Sequence, residues 1–234
     1  MRDPRRWIAR RRVRALEHRL LAVDKVVVRP ESGPEDERHE REVLSLECPD
    51  WVNVVALTRA ADEGPRVVLV RQWRFAIAAA TLEIPGGMVD DGESPLQAAR
   101  RELLEETGYS SESWCSLGTV HPNPAILSNR CHTFLARDAA FRARPTGDGD
   151  EEIAVTTRPL TAIPRAIADG EITHSLVIAA FHLLGVVGPE PCREAGGAAA
   201  GADGASAGDA VHDGAGHDGA QPGAEAPGGG ERSR

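Results

Sequence analysis

Several features that would place this chain in a membrane or give it a zinc site are absent. No apolar run approaches the roughly 20 residues that a membrane-spanning helix needs. The N-terminal arginines have no apolar stretch behind them, so no secretory signal is expected. The four cysteines form no CxxC pair, and neither a zinc site nor a disulfide framework is predicted. These absences favour a cytoplasmic protein.

Acidic residues outnumber basic residues outside the N-terminus. The formal net charge is −9 at pH 7, and a mildly acidic body without a basic face argues against a dedicated nucleic-acid binder. Residues 1–20 are the exception, because eight arginines lie there. We interpret them as a basic N-terminal arm, either a solvated helix or a flexible segment, with a partner or phosphate contact as the alternative.

Aromatic residues make up only 4% of the chain, and none lies in residues 193–234. That segment of 42 residues holds 12 of the 24 glycines and 12 alanines. Such a composition buries too little apolar surface to offset the entropy lost on ordering. Residues 193–234 are therefore predicted to be a disordered Gly/Ala-rich tail.

The rest of the chain mixes strand and helix patterns. Ser94 and Gln97 form a capping box with Pro95 at the first helical position, and Gly108 ends the predicted helix. Strands are predicted over residues 21–29, 42–47, 51–58, 66–73, 131–136 and 153–158, and further helices over 164–168 and 175–184. This order predicts a mixed α/β fold with helices packed on a sheet.

Three carboxylates lie on one face of the predicted helix. Glu102, Glu105 and Glu106 have the spacing i, i+3 and i+4. They repel one another and oppose the dipole near the helix C-terminus. A hard cation such as Mg²⁺ or Mn²⁺ would remove this conflict, although a solvated acidic face is the alternative for such a pattern alone.

The acidic face belongs to a longer pattern of fixed positions. These are Gly87, Glu93, Arg101, Glu102, Leu103, Glu105, Glu106, Gly108 and Tyr109. The pattern resembles the Nudix box at every defining position, and the chain is identified on this resemblance as a member of the Nudix family. The resemblance implies an α/β/α sandwich with a mixed sheet over residues 48–190.

The resemblance also implies roles for the acidic residues. Glu102 and Glu106 would be the main metal ligands, Glu105 a further ligand or an activator of water, and the Gly86 carbonyl an added ligand. The implied reaction is attack of water on a pyrophosphate linkage with bound Mg²⁺, for which Mn²⁺ can substitute.

Other residues of the pattern have structural roles. Gly87 allows a tight loop, and Gly108 ends the helix. Arg101 is well placed to pair with Glu93 and so to hold the loop against the helix. This pairing either stabilises the loop alone or also orients the acids.

Segments outside the box resemble the ADP-ribose pyrophosphatase branch of the family. These are LVRQWRF and TLEIPGGMVD before the box, Pro124 after it, and the acidic stretch GDGDEEIAV. In that branch the acidic loop supplies the catalytic base, which makes Glu151 the first candidate and Glu152 the second. Residues 123–129 are expected to help set substrate specificity.

Three further residues are candidates for binding substrate. Arg71 and Arg74 flank a strand end and are candidates for binding phosphate or ribose oxygens, with surface arginines as the alternative. Glu83 is a candidate for a ribose hydrogen bond or for assisting the metal, with a structural salt bridge as the alternative.

Several histidines and tryptophans lie in the matching segments. His121, His132 and His174 are expected to be satisfied polar groups rather than metal ligands. Trp51 and Trp73 are expected to anchor the core or an interface rather than to stack on a base.

The resemblance implies a nucleotide-derived small-molecule substrate, with ADP-ribose or a nucleotide-sugar as the leading class and two phosphate monoesters as products. Residues 21–47 are predicted to form a small sheet that pairs two subunits in a homodimer. Three alternatives stay open: another Nudix substrate such as a dinucleoside polyphosphate, coenzyme A or a nucleoside triphosphate; a ligand-sensing Nudix domain without activity; and an interaction protein with a vestigial enzyme.

Overall fold

The computed structural model describes residues 3–32, 39–60, 64–146 and 152–187. The predicted tail, residues 193–234, and the base candidate Glu151 lie outside these ranges. In the described part of the chain the strands are β1 (Trp7–His18), β2 (Leu21–Pro30), β3 (Arg41–Glu47), β4 (Trp51–Ala60), β5 (Gly64–Arg74), β6 (Ala79–Glu83), β7 (Gly86–Met88), β8 (Tyr109–Ser110), β9 (Ser113–Val120), β10 (Cys131–Arg137), β11 (Ala140–Phe141) and β12 (Ala154–Pro159). The α-helices are α1 (Pro95–Thr107), α2 (Ile163–Ala168) and α3 (Ser175–Val187).

The larger sheet is mixed, as predicted. Its central strands run in the order β12-β5-β4-β10-β9, with β6 added beside β5 and β7 beside β4. Strand β10 runs parallel to β4 and antiparallel to β9. The pairing of β7 with β4 places Gly86 opposite Asn53 and Gly87 opposite Val52, which fixes the loop before α1 at the sheet.

Alternation along β4 divides the core into two layers. Val52, Val54 and Ala56 face α1 and join Leu103 in one buried cluster. Val55 faces the other way and joins the second cluster with residues of α2 and α3. Helices therefore cover both faces of the sheet, which confirms the predicted α/β/α sandwich.

Local sequence signals explain where α1 begins and ends. The Ser94 side chain accepts a hydrogen bond from the Gln97 backbone amide, and the Gln97 side-chain oxygen accepts one from the Ser94 backbone amide. Gly108 ends the helix in the left-handed conformation with φ of 72°. The predicted boundaries are confirmed, so the three glutamates lie in the last two turns of the helix.

The prediction of an N-terminal arm is wrong for residues 7–18, which form β1 at the edge of a sheet ordered β1-β2-β3. Arg12 and Arg14 both pair with Asp24 of β2 and with Glu47 of β3. Asp24 is fully buried. The arginines therefore belong to an ion-pair network that holds the three strands together.

Two predicted absences can be compared with the structure. No helix among the described residues is long and apolar enough to span a membrane. Cys48 and Cys131 are free thiols.

Candidate active site

The glutamates of α1 line a cavity of about 430 Å³ together with the backbone of β7. Glu106 is buried, with 8% of its surface exposed. One of its carboxylate oxygens accepts a hydrogen bond of 3.0 Å from the Gly86 amide. The helix and the glycine loop thus face each other across the cavity, and the predicted acids Glu102, Glu105 and Glu106 are brought together there.

Arg101 organises the carboxylates of this cavity. Its guanidinium donates two hydrogen bonds to Glu93, of 3.1 and 3.0 Å, and one of 3.0 Å to the Met88 carbonyl. It also donates to Glu102 at 2.9 Å and to Glu105 at 3.3 Å. The hydrogen bond from Arg101 lowers the pKa of Glu93 against the opposing effect of desolvation, and these carboxylates raise the pKa of Arg101.

Gly87 is required because the loop and α1 approach closely. A Cβ atom at this position would lie 2.1 Å from a carboxylate oxygen of Glu102. At Gly86 a Cβ atom would lie 2.2 Å from the Val52 carbonyl oxygen. The glycine pair therefore lets the backbone reach the acids, as the sequence predicted for Gly87.

A second cavity, of about 600 Å³, adjoins the first. The two share Arg74, Gly86, Gly87 and Met88 as lining residues. The other residues that line the larger cavity are Trp51, Val52, Asn53, Ile77, Thr81, Glu83, Ile84, Thr173, His174 and Leu176. Its size is that of a small-molecule site.

Arg74 lies at the junction of the two cavities and is held by Glu83. The guanidinium donates two hydrogen bonds to the carboxylate, of 2.8 and 2.7 Å, and Thr81 donates a third of 2.5 Å. Burial of Glu83 would raise its pKa, but the hydrogen bonds from Arg74 and Thr81 and the positive charge of Arg74 lower it overall. A salt bridge fixed in this way orients Arg74 towards both cavities.

The structure does not place Arg71 in either cavity. Side chains alternate along β5, so Gln72 and Arg74 share one face and Arg71 lies on the other. Gln72, which the sequence analysis did not single out, lines the carboxylate cavity instead. Arg71 interacts electrostatically with Glu171 on the opposite side of the sheet.

The acidic segment begins and ends beside the site. The Thr146 amide, directly before the segment, donates a hydrogen bond of 3.0 Å to the Glu105 carbonyl. Ala154, near the end of the segment, pairs with Arg71 next to Gln72 on β5. Glu152 is exposed and lines neither cavity, and Glu151 lies outside the described residues.

Three other groups of residues singled out from the sequence lie in different parts of the structure. Residues 123–128 lie against the small sheet, where the Leu46 amide donates to the Ile126 carbonyl and the Ser128 amide to the Leu46 carbonyl. They line neither of the two cavities. Trp51 lines the larger cavity rather than only anchoring the core, and Trp73 is 53% exposed.

Asn53 was not predicted to belong to the site. Its side-chain amide donates a hydrogen bond of 3.2 Å to the Leu176 carbonyl and so ties β4 to α3. The sequence did contain a signal for this role, because Asn53 is the only polar residue in the apolar run WVNVVAL. A polar residue in a buried strand needs a hydrogen-bond partner.

The donor chemistry of the smaller cavity suits a hard divalent cation. Asp90 and the three glutamates of α1 contribute carboxylate oxygens, and no histidine or cysteine lines this cavity. As the side chains stand, no three acidic, histidine or cysteine groups in the described part of the chain are close enough to hold an ion. Arg101 and the Gly86 amide instead hold the carboxylates in place.

Known proteins are similar to this chain in sequence and in fold. An ADP-ribose pyrophosphatase of Bacillus subtilis (strain 168) is 32% identical over 123 residues, covering 52% of this chain and 63% of that protein. An ADP-sugar pyrophosphatase of Mus musculus is 32% identical over 143 residues, covering 58% of this chain and 66% of that protein. The chain thus spans just under two thirds of the length of each.

A solved structure described as that of an ADP compounds hydrolase matches with a TM-score of 0.66 at 20% identity, and covers 80% of this chain and 96% of that one. This likeness shows the fold. The NUDIX domain family matches residues 49–181, which include β4, the glycine loop and all of α1. The chain belongs to the NUDIX family.

Proposed function

We propose that this protein is a pyrophosphohydrolase that cleaves a nucleoside diphosphate linked to a second moiety, with ADP-ribose or a nucleotide-sugar as substrate. The observation that carries the proposal is the carboxylate face of α1 opposite the Gly86–Gly87 backbone, beside a larger cavity that shares Arg74. The smaller cavity would take the pyrophosphate, and the larger one a moiety attached to it. The catalytic unit would extend over residues 48–190.

The chain's own groups would orient the pyrophosphate. Arg74 is already fixed by two hydrogen bonds to Glu83, so it can bind a phosphate oxygen with little loss of side-chain entropy. Arg101 neutralises part of the charge that Glu102 and Glu105 bring to the site. Positively charged groups at this place stabilise the additional negative charge of the transition state.

Glu102, Glu105 and Glu106, with the Gly86 carbonyl, would hold Mg²⁺, or Mn²⁺ in its place. The bound ion would neutralise phosphate charge and lower the pKa of water. To bind the ion, Glu102 and Glu105 would give up part of their hydrogen bonding to Arg101. Glu106 is already held in position by its hydrogen bond from the Gly86 amide.

A carboxylate close to the attacking water would accept its proton. We assign this role to Glu151, with Glu152 as the second candidate and Glu105 as a third. The assignment to the acidic segment is supported by its neighbours, since the Thr146 amide is hydrogen-bonded to the Glu105 carbonyl and Ala154 pairs with β5.

The proposal is tested by incubating the protein with Mg²⁺ or Mn²⁺ and a panel of pyrophosphate compounds. The panel comprises ADP-ribose, nucleotide-sugars, dinucleoside polyphosphates, coenzyme A and nucleoside triphosphates. An added phosphatase releases phosphate from the monoester products, so phosphate release with ADP-ribose or a nucleotide-sugar as the starting compound supports the proposal. Turnover of another compound alone would replace the substrate class, and no turnover at all would favour a sensing or interaction role.

We also propose that the protein is a homodimer formed through the sheet of β1, β2 and β3. Val13 and Leu44 flank Lys25 on one face of this sheet, and they are 49% and 52% exposed. Light scattering on the wild type and on Leu44→Glu tests this, because a charge in such an interface should release monomers.

The cytoplasmic location stays a prediction from the sequence.

A further inference from the structure

One wall of the larger cavity is formed by the segment that leads into α3 and by the first turn of that helix. Thr173, His174 and Leu176 contribute to the lining. The His174 carbonyl accepts a hydrogen bond of 3.1 Å from the Ile178 amide, and the Leu176 carbonyl accepts the bond from Asn53. The backbone that carries His174 is therefore fixed from within α3 and from β4.

His174 lacks the contacts that another histidine of the same chain has. Both ring nitrogens of His132 are engaged, one with Thr119 and one with Asp50, each at 3.1 Å. The Nδ1 atom of His174 is buried and has no hydrogen-bond partner among the described residues. The sequence-based expectation of a satisfied histidine is therefore wrong for His174, and such an atom needs an explanation.

The geometry of the imidazole ring connects this atom to the cavity. With Nδ1 buried, the opposite ring edge carries Nε2. Rotating the ring by half a turn about the Cβ–Cγ bond puts a carbon at the buried edge and moves Nδ1 to the opposite edge. In either orientation one nitrogen lies on the edge away from the buried side, so an occupant of the cavity can select the orientation and the tautomer.

The chemistry of the remaining lining defines the occupant. The charged groups Arg74 and Glu83 already pair with each other. Apart from His174, the other polar side chains of the lining are those of Asn53, Thr81 and Thr173, which carry no charge. Trp51, Ile77 and Leu176 are apolar. This environment fits an uncharged body with hydrogen-bonding groups, such as the sugar of a nucleoside or of a nucleotide-sugar, and not a phosphate.

We propose that His174 is a specificity-determining residue whose imidazole hydrogen-bonds a sugar hydroxyl of the substrate in the 600 Å³ cavity. This inference rests on the proposed function, since it assumes that the pyrophosphate lies over the carboxylates of α1. It goes further by assigning one hydroxyl contact to a residue outside the Nudix box.

The test removes the two partners of the contact separately. Wild type, His174→Ala and His174→Gln are compared on ADP-ribose and on analogues that each lack one sugar hydroxyl of either ribose. His182→Ala is the matched control, because His182 is an exposed histidine of α3, the helix that directly follows His174. Thermal unfolding of each variant shows whether it is folded. If His174→Ala does not fold, His174→Gln still tests the contact, because its side-chain amide keeps one hydrogen-bond donor and one acceptor.

For the wild type we expect one deoxy analogue to lose about tenfold in kcat/KM, mostly through KM. His174→Ala should lose about as much on ADP-ribose and should no longer distinguish that analogue from ADP-ribose. His174→Gln should recover part of the discrimination, and His182→Ala should behave as wild type.

Two results overturn the inference, and they are distinguishable. If the wild type turns over ADP-ribose while the His174 variants lose equally on every analogue or on none, the contact is wrong and the proposed function stands. If the wild type hydrolyses no nucleoside diphosphate derivative, the proposed function fails and the assignment of His174 fails with it.

Discussion

Arg101 and Glu93 form a two-point ion pair that joins α1 to the loop before it, with N–O distances of 3.1 and 3.0 Å. The same guanidinium reaches Glu102 and Glu105. One side chain therefore fixes the loop and also screens the repulsion between two acids that we assign to the metal site.

Arg101→Lys should impair catalysis more than folding. A lysine ammonium cannot make the two parallel hydrogen bonds to Glu93 while also contacting Glu102. We expect kcat to fall by about 10- to 100-fold, the usual effect of losing a group that orients metal ligands. Steady-state kinetics over a range of Mg²⁺ concentrations measures this. Unchanged kcat and Mg²⁺ dependence would contradict the role given to Arg101.

Gly87→Ala should displace a carboxylate while leaving the fold intact. The new Cβ atom would lie 2.1 Å from a Glu102 side-chain oxygen, and Glu102 can rotate away. We expect activity to fall by about 10- to 100-fold with a change in unfolding free energy of about 1 kcal/mol or less. Activity and urea unfolding are measured on the same preparation.

Gly185→Ala is the matched control for this substitution. Gly185 lies in α3, and nothing lies within 4 Å of a Cβ atom added there. Alanine should stabilise the helix by about 0.5–1 kcal/mol and leave activity unchanged. Equal activity of the two variants would refute the steric argument at Gly87.

The ion pair between Glu83 and Arg74 predicts a dependence of stability on pH. The pKa of Glu83 lies below its ordinary value of 4.5. The carboxylate therefore stabilises the fold above the unfolded-state pKa, and this contribution is lost as the pH falls through the folded-state pKa.

Glu83→Gln isolates that contribution. The variant should be about 1.5–3 kcal/mol less stable than wild type near neutral pH, because hydrogen bonds to a charged group are lost. The difference should shrink as the pH falls below 4.5. Urea unfolding of both proteins from neutral pH down to about pH 3 tests the sign, and a difference that grows on acidification would contradict it.

The sequence predicted features whose signals are local. The helix α1 depends on Ser94, Gln97 and Gly108, which lie within the helix or next to it. The acidic face needs only the spacing of three glutamates. Both were therefore available before any tertiary contact was known.

Features that depend on distant partners were not predicted. The arginines of β1 have their structural role only once β2 supplies Asp24 and β3 supplies Glu47. The wall of the larger cavity depends on Asn53 reaching Leu176, 123 positions away. Strand β9 was missed because Ser116 and Gly118 interrupt its apolar residues.

Asp24→Ala should destabilise the N-terminal sheet strongly. The buried carboxylate binds Arg12 at 2.9 Å and Arg14 at 2.6 Å. Because both arginines are partly exposed, losing their hydrogen bonds to the carboxylate should cost about 1.5–3 kcal/mol, which should appear as a lower midpoint of urea unfolding. Asp169→Ala breaks an exposed pair with Arg165 and should cost about 0.5 kcal/mol or less. Similar losses in the two variants would contradict the role of the Asp24 network.

The most direct test of the account is the hydrolysis of ADP-ribose with Mg²⁺ by wild type and by Glu106→Gln, followed by ³¹P NMR. Glu106 combines burial, a hydrogen bond from the Gly86 amide and a place in the carboxylate cavity. We predict AMP and ribose 5-phosphate in equal amounts from wild type, and a rate at least about 100-fold lower from the folded variant. Equal rates for the two proteins would contradict the central claim that this carboxylate cavity is the active site.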